Sequence, residues 1–348
     1  MINNPNTAFI FFLLLLIEVF SGCSTQSIET IYPTLNDGKY DSAFPFKNAS
    51  QEIENISNTI QRINSLAFYD TYLFEENLRL IKTEISEDVL ATRSTKKVPS
   101  DQSKAGSATV LISSNGLIGL LTCAHIVDFA DTIISYYSKE DGTQSPFIES
   151  VSIKTRQMIY AAGFPEGSEL DLIAIDKSSD LAFLGKRFTT QLTNRIPSFN
   201  YPVGSSKELE WGTFVYIFGF PLNNKMVTNA IVSSPNRDKS NSFLLDAVIN
   251  RGMSGGIVLA IRDGIPNFEL VGLVQWVPEE YQDILVPRKN PNEAKYSYVN
   301  PYEGDIFVKR QSEIAYGIVK VISVETIRDF FKANQEVLRS EGYILNEF

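Results

Sequence analysis

The sequence predicts an all-β protein, two six-stranded antiparallel barrels with a helical extension in front and a helix behind. Three observations carry this. Between Gly106 and Ile322 short apolar runs recur, separated by Gly, Asn, Asp, Ser and Pro turns at the spacing of barrel strands. Ahead of them Ile53, Ile56, Ile60 and Ile63 recur at three and four residues, as on an amphipathic helix. Behind them Ile327, Phe330, Phe331 and Val337 mark one side of a closing helix over 324–338.

In chain order, residues 1–22 read as an export signal. The apolar block Ala8–Ile17 rises only about 15 Å as a helix, too short for a hydrocarbon core of about 30 Å. Phe20-Ser21-Gly22-Cys23 resembles the bacterial lipobox, which implies acylation of Cys23, a tether to one membrane leaflet and a place in the cell envelope. Three features depart from that pattern: no Lys or Arg precedes the apolar block, Glu18 interrupts it, and Phe20 stands where leucine is usual. An ordinary signal peptide cut near Gly22 is the alternative. Ser24, in place of the aspartate that retains such proteins at the inner membrane, points to the outer membrane. With Cys23 acylated, Cys123 is the only remaining thiol, so no intramolecular disulfide is expected.

Residues 23–48 read as a polar tether that partly packs on the main domain, and 49–104 as a helical extension and linker. Within the latter, a helix over Ser50–Leu66 is capped from Asn48-Ala49-Ser50, a second helical stretch covers 73–85, and 92–104 is a polar linker. Residues 105–340 form the main domain. Its strands are 107–112, 117–122, 150–153, 170–175, 181–184, 213–218, 226–232, 243–249, 257–261 and 270–276; a polar loop, 278–311, and a last strand, 315–322, precede the helix. Residues 341–348 are a tail.

Composition removes several classes of function. A net charge of −10 and a pI near 4.9, with no basic run, argue against nucleic acid. One histidine and two cysteines argue against a zinc site, and no metal or cofactor is expected, although carboxylates alone would suffice for calcium.

The chemistry centres on Asn250-Arg251-Gly252-Met253-Ser254-Gly255-Gly256, one hydroxyl among three glycines between two apolar strands. Such a turn can aim backbone N–H groups at a point beside the serine oxygen, as acyl transfer requires. A plain Gly-rich hairpin fits the same pattern. A serine hydroxyl needs a base, and His125, ending the strand Leu120-Leu121-Thr122-Cys123-Ala124, is the sole imidazole. A lone strand-end histidine is by default structural. Asp180, opening Asp180-Leu181-Ala182, ranks first as its orienting acid, ahead of Asp171 and Asp176.

These motifs resemble the trypsin-type serine proteases of the chymotrypsin fold, most nearly the HtrA/Deg branch. The matching residues are Thr122-Cys123-Ala124-His125-Ile126-Val127, Asp180-Leu181-Ala182 and Asp246-Ala247-Val248-Ile249-Asn250-Arg251-Gly252-Met253-Ser254-Gly255-Gly256, in the order His, Asp, Ser. The resemblance covers about 104–340. It implies Ser254 as nucleophile, His125 as general base and Asp180 as its orienter. It also implies an oxyanion hole from the backbone of Gly252 and Ser254, with a further N–H offered by Met253 between them. Val274, Gln275 and Trp276 would pair with substrate backbone, and Val248, six residues before the nucleophile, would floor the specificity pocket. With no charge there, an aliphatic or small side chain is expected before the cut bond. Met253, Arg251 and Ile257 depart from the family's usual asparagine or aspartate, proline and proline. No PDZ module is expected after the closing helix.

The reading is thus a serine endopeptidase acting on protein or peptide, lipid-anchored in the bacterial cell envelope. The alternative is a non-catalytic binding protein on the same fold. Cysteine chemistry at Cys123 is disfavoured, because that thiol, two residues before His125 on a strand, is expected to face away from the cleft.

Overall fold

The computed structural model describes residues 36–45, 47–139, 143–165, 169–189, 195–235, 242–276, 279–287, 306–314, 317–345 and 348. The export signal, Cys23 and most of the tether lie outside them. No helix among the described residues is long and apolar enough to cross a membrane.

The protein is mostly β, with two strand systems and a hairpin. A seven-stranded sheet has the order β4-β5-β1-β2-β3-β7-β6, from β1 (Ile60–Leu73), β2 (Lys96–Ser114), β3 (Leu117–Cys123), β4 (Thr132–Ser138), β5 (Gln144–Ala161), β6 (Asp171–Asp176) and β7 (Leu181–Arg187). A closed six-stranded barrel runs β10-β15-β12-β11-β8-β9, from β8 (Phe214–Gly219), β9 (Met226–Ser234), β10 (Ser242–Asp246), β11 (Ile257–Ile261), β12 (Phe268–Trp276) and β15 (Val319–Ser323). The hairpin β13 (Glu279–Pro287) and β14 (Ile306–Ile314) stands in the stretch expected to be a polar loop. The architecture is the double-barrel one expected, with the first half an open sheet of seven strands instead of a barrel of six.

Two of the seven, β1 and β4, lie outside the expected strands, and β1 takes the place of the second half of the expected helix. Helix α1 covers only Ser50–Ser57, after which the chain turns at Asn58-Thr59 and enters β1. Thr59 closes the helix by donating its hydroxyl to the Ile56 carbonyl at 2.7 Å. Ile60 and Ile63 are therefore strand residues. From Ile63 onward alternate residues are buried through Thr71, but Ser65, Ala67 and Thr71 sit among Ile63 and Tyr69, so no apolar period of two was visible. The stretch expected as a second helix holds only two short 3-10 turns, Glu76–Leu78 and Lys82–Glu84, before α2 (Glu87–Arg93). The expected linker 92–104 is largely strand: Lys96 to Thr109 pairs antiparallel with Leu73 to Ile60. Its polar sequence reflects exposure, and its conformation is imposed by β1.

The two faces of the barrel strands are buried for different reasons. Along β8, Phe214, Tyr216 and Phe218 join a large core cluster shared with the seven-stranded sheet, while Val215 and Ile217 join a second cluster made of barrel residues and Tyr40. On β11, Ile257, Leu259 and Ile261 face the first cluster, and Val258 and Ala260 the second. A strand buried on both faces reads as a continuous apolar run, as these do.

The closing helix is two pieces, α4 (Val324–Ala333), capped by Ser323, and α5 (Gln335–Ser340). The expected tail is packed as well: Tyr343 is buried and its ring meets Phe183 edge-on at 5.2 Å. At the other end, Tyr40 donates to Glu269 at 2.7 Å, and Arg262 lies 4.1 Å above its ring while accepting partners Glu269 and Gly38 fix the guanidinium. The described end of the tether is thereby fastened to the barrel.

Candidate active site

His125 lies on a one-turn helix, α3 (Ala124–Val127), directly after β3, every residue of which is buried. Asp180 organises that turn. Its main-chain oxygen accepts the Ala124 N–H at 3.0 Å, and its Oδ1 accepts the His125 N–H at 2.8 Å. The imidazole Nδ1 then lies 2.8 Å from Oδ2 and 3.1 Å from Oδ1. A carboxylate only accepts, so the proton of this contact is on Nδ1, leaving Nε2 as the basic nitrogen on a side chain 45% exposed. Asp180 reaches inward from a left-handed backbone, φ 58°, at the end of the turn before β7, a conformation that Asp tolerates better than most residues. Its side chain is only 13% exposed.

The rival carboxylates have other occupations. Asp176 accepts the N–H and hydroxyl of Ser178 and the hydroxyl of Ser179, bonds that hold it below the usual carboxylate range. Asp171 is exposed on β6.

The turn carrying Ser254 is built by tying its carbonyls back. Leu222 N–H donates to the Arg251 carbonyl at 3.0 Å, Ser107 Oγ to Gly252 at 2.7 Å, Gly256 N–H to Met253 at 2.9 Å, and Ser107 N–H to Ser254 at 2.8 Å. In a trans peptide the C=O and the following N–H point in opposite directions. With the Arg251 and Met253 carbonyls held, the N–H groups of Gly252 and Ser254 are turned away, and neither has a hydrogen-bond partner among the described residues. Gly252 has φ 101°, and a Cβ there would lie 2.4 Å from the Phe220 carbonyl oxygen; at Gly255, φ 79°, it would lie 2.0 Å from that of Ser107. Both glycines are required by space as well as by angle.

Met253 corrects one expectation. Its N–H donates to Asn250 at 3.3 Å, closing the turn, so it is not a third free donor. Its thioether is buried in the barrel cluster, where a hydrophobic side chain fits and an asparagine would lack water.

The two halves abut at one carbonyl. Val274 O accepts Gly255 N–H at 2.9 Å and Cys123 Sγ at 3.3 Å, so neighbours of Ser254 and of His125 share an acceptor. Gly106 fits between them: a Cβ there would lie 2.3 Å from Ile126 Cδ1 and 3.0 Å from the Ser254 carbonyl oxygen. Ser254 is half-buried, and no hydrogen bond runs from its hydroxyl to His125 in this conformation. Bonds of this kind are often loose before substrate binds.

Of the expected substrate strand, Val274 has both backbone groups engaged, its N–H donating to Gly256 at 2.8 Å, and its side chain is buried. It therefore holds the glycine turn and is not open to a peptide. Gln275 sits at a bulge where the register against β15 shifts between Val274 and Trp276. Val248 is 72% exposed, open to an entering group.

Cys123, expected to face away from the cleft, is fully buried but lies against the pair: Sγ and the nearest donor atoms of His125 and Asp180 are all within 4.8 Å of one another. Burial, and next the Asp180 charge, push the thiol well up. A neutral thiol bonded to Val274, beside an imidazole already donating to Asp180, is poorly prepared to bind a metal ion.

A model of the family described as "Trypsin-like peptidase domain" matches residues 106–273. Residues 106–273 form a trypsin-like peptidase domain. The matched span of this peptidase contains His125, Asp180 and Ser254. Among solved structures, the peptidase is similar to a serine endoprotease from Yersinia pestis at 18% identity and a TM-score of 0.39, over 86% of this chain and 69% of that one. No curated protein matches the sequence.

Sequence reasoning missed Ser107 and the loop Phe220-Pro221-Leu222-Asn223. The first carried a signal only as a hydroxyl inside an apolar run; the loop's Leu222 has a left-handed backbone, φ 49°, that no residue type announces.

Proposed function

We propose that the peptidase domain is a serine endopeptidase using Ser254 as nucleophile, His125 as general base and then acid, and Asp180 to fix the imidazole tautomer. The observation that carries this is the double hold of Asp180 on His125, at the backbone N–H and at Nδ1, which presents Nε2 outward. Attack by Ser254 Oγ on a peptide carbonyl passes its proton to Nε2. The oxyanion formed is received by the Gly252 and Ser254 N–H groups, each worth about 2.7–4 kcal/mol in such chemistry. Collapse expels the amine with the proton from Nε2, and water reverses the sequence on the acyl-enzyme.

Substrate backbone pairs with Gln275-Trp276 by β-addition, and an aliphatic or small side chain before the cut bond lies against Val248. Cleavage confined to sites after Lys or Arg would refute the Val248 assignment. The chain is anchored through acylated Cys23 in the cell envelope, at the outer membrane or facing the periplasm, and metabolic labelling with a fatty acid, lost in Cys23→Ala, tests the anchor.

A fluorophosphonate probe tests the chemistry. Labelling of the intact protein that disappears in Ser254→Ala is expected; properly folded protein that neither labels nor cleaves any peptide library would make it a binding protein on a peptidase fold.

A further inference from the structure

Ser107 is buried on β2, next to Gly106, and no part of the proposed reaction uses it. Every polar group it has is directed at the nucleophile turn or its supports. Its N–H donates to the Ser254 carbonyl, its Oγ donates to the Gly252 carbonyl at 2.7 Å and accepts the Phe220 N–H at 2.9 Å, and its carbonyl accepts the Thr122 hydroxyl at 2.7 Å.

We propose that the Ser107 hydroxyl is a positioning residue for the oxyanion donors, setting the direction of the Gly252 N–H from both sides. The inference rests on the serine-peptidase reading above. One side is direct: holding the Gly252 carbonyl fixes the peptide plane that comes after this residue. The other side runs through the loop. By accepting from Phe220, the hydroxyl holds the segment whose Leu222 N–H, two residues on, fixes the Arg251 carbonyl and with it the plane that contains the Gly252 N–H. Gly252, at φ 101° and without a Cβ, has little intrinsic preference to keep either plane in place. Leu222 holds its end from a strained left-handed backbone, so the loop depends on such external bonds. Remove the Oγ and Gly252 O and Phe220 N–H lose their partner together, freeing both planes beside the donor.

The test compares Ser107→Ala with Thr122→Val in the full chain. The Thr122 hydroxyl makes its one hydrogen bond to the Ser107 carbonyl within the same buried knot, and valine keeps its volume beside Gly255, so this variant reports the cost of losing a bond there without releasing Gly252 or Phe220. In Ser107→Ala, kcat should fall roughly 10- to 100-fold with KM nearly unchanged, as a displaced donor implies. The inhibition constant of a peptide boronate, whose tetrahedral adduct uses the same donors, should weaken in step with kcat/KM. Thr122→Val should lower Tm by a similar amount while kcat stays within about threefold. A folded Ser107→Ala with near-normal kcat, or an equal kcat loss in Thr122→Val, overturns the proposal. If Ser107→Ala does not fold, Ser107→Cys substitutes a longer and weaker donor without a cavity: kcat and boronate affinity should fall together, and normal values for both overturn the proposal. Failure of the parent reading is seen separately, as peptide cleavage that survives Ser254→Ala.

Discussion

The half of the site on the seven-stranded sheet is closed, whereas the half on the six-stranded barrel is left open. Asp180 takes the His125 N–H and ring, and the Ala124 N–H goes to the Asp180 main chain, so both ends of the link between the helical turn and the acid are bonded. In the barrel's glycine turn the five consecutive carbonyls from Asn250 to Ser254 are tied, while the N–H groups of Gly252 and Ser254 and the Ser254 hydroxyl have no partner among the described residues. Unsatisfied donors are usually avoided in a fold. Here the tied groups position and the untied ones are available to react, and neither half can act without the other.

Ser254→Ala removes the reacting oxygen from the open half and should bring the largest loss, about 10⁶-fold in kcat, with Tm essentially unchanged. Activity within tenfold of normal would break the comparison outright. Next comes the closed half. Asp180→Asn keeps an oxygen for the His125 N–H but can donate to Nδ1 and place the proton on Nε2, so kcat should fall about 10⁴-fold while the fold is kept. A loss confined to stability would show that Asp180 only caps a helix.

Gly252→Ala aims at the tied carbonyls. The new Cβ would lie 2.4 Å from the Phe220 oxygen and the positive φ is unfavourable, so kcat should fall about 10²- to 10³-fold and Tm by a few degrees. The smallest effect is expected at Met253→Leu, where the N–H is retained and the volume conserved: a cost under about 1.5 kcal/mol in thermal unfolding and normal kcat.

Cys123 gives a check by pH. Its thiol is raised in the folded protein and ordinary in the unfolded chain, so the stability it contributes is complete below the unfolded thiol's range. That contribution is lost as pH climbs above that range, because the unfolded chain alone ionises. Native protein should resist iodoacetamide at pH 9, and Cys123→Ala should flatten the alkaline fall in stability measured by denaturant.

Legibility tracked how local the controlling interactions are. Ile257–Ile261 and Phe214–Gly219 were readable as strands because both faces are buried in apolar clusters. Residues 60–66 and 96–104 were misread, because each is a strand chiefly through its antiparallel partner, and Lys96, Asp101 and Lys104 carry no apolar pattern. Asp180 outranked Asp176 on position alone, yet what separates them is bonding: Asp176 serves its own turn, and Asp180 reaches His125 across 55 residues.

By itself the sequence determined the strand-rich class, the sole imidazole, the glycine turn with its hydroxyl and the order of the three, since residue type and local spacing carry that information. Tertiary structure decided which carboxylate meets the histidine, which N–H groups stay free and which buried serine holds them. Those outcomes depend on hydrogen bonds between segments far apart in the chain, such as Ser107 to Gly252, for which linear spacing carries no physical signal.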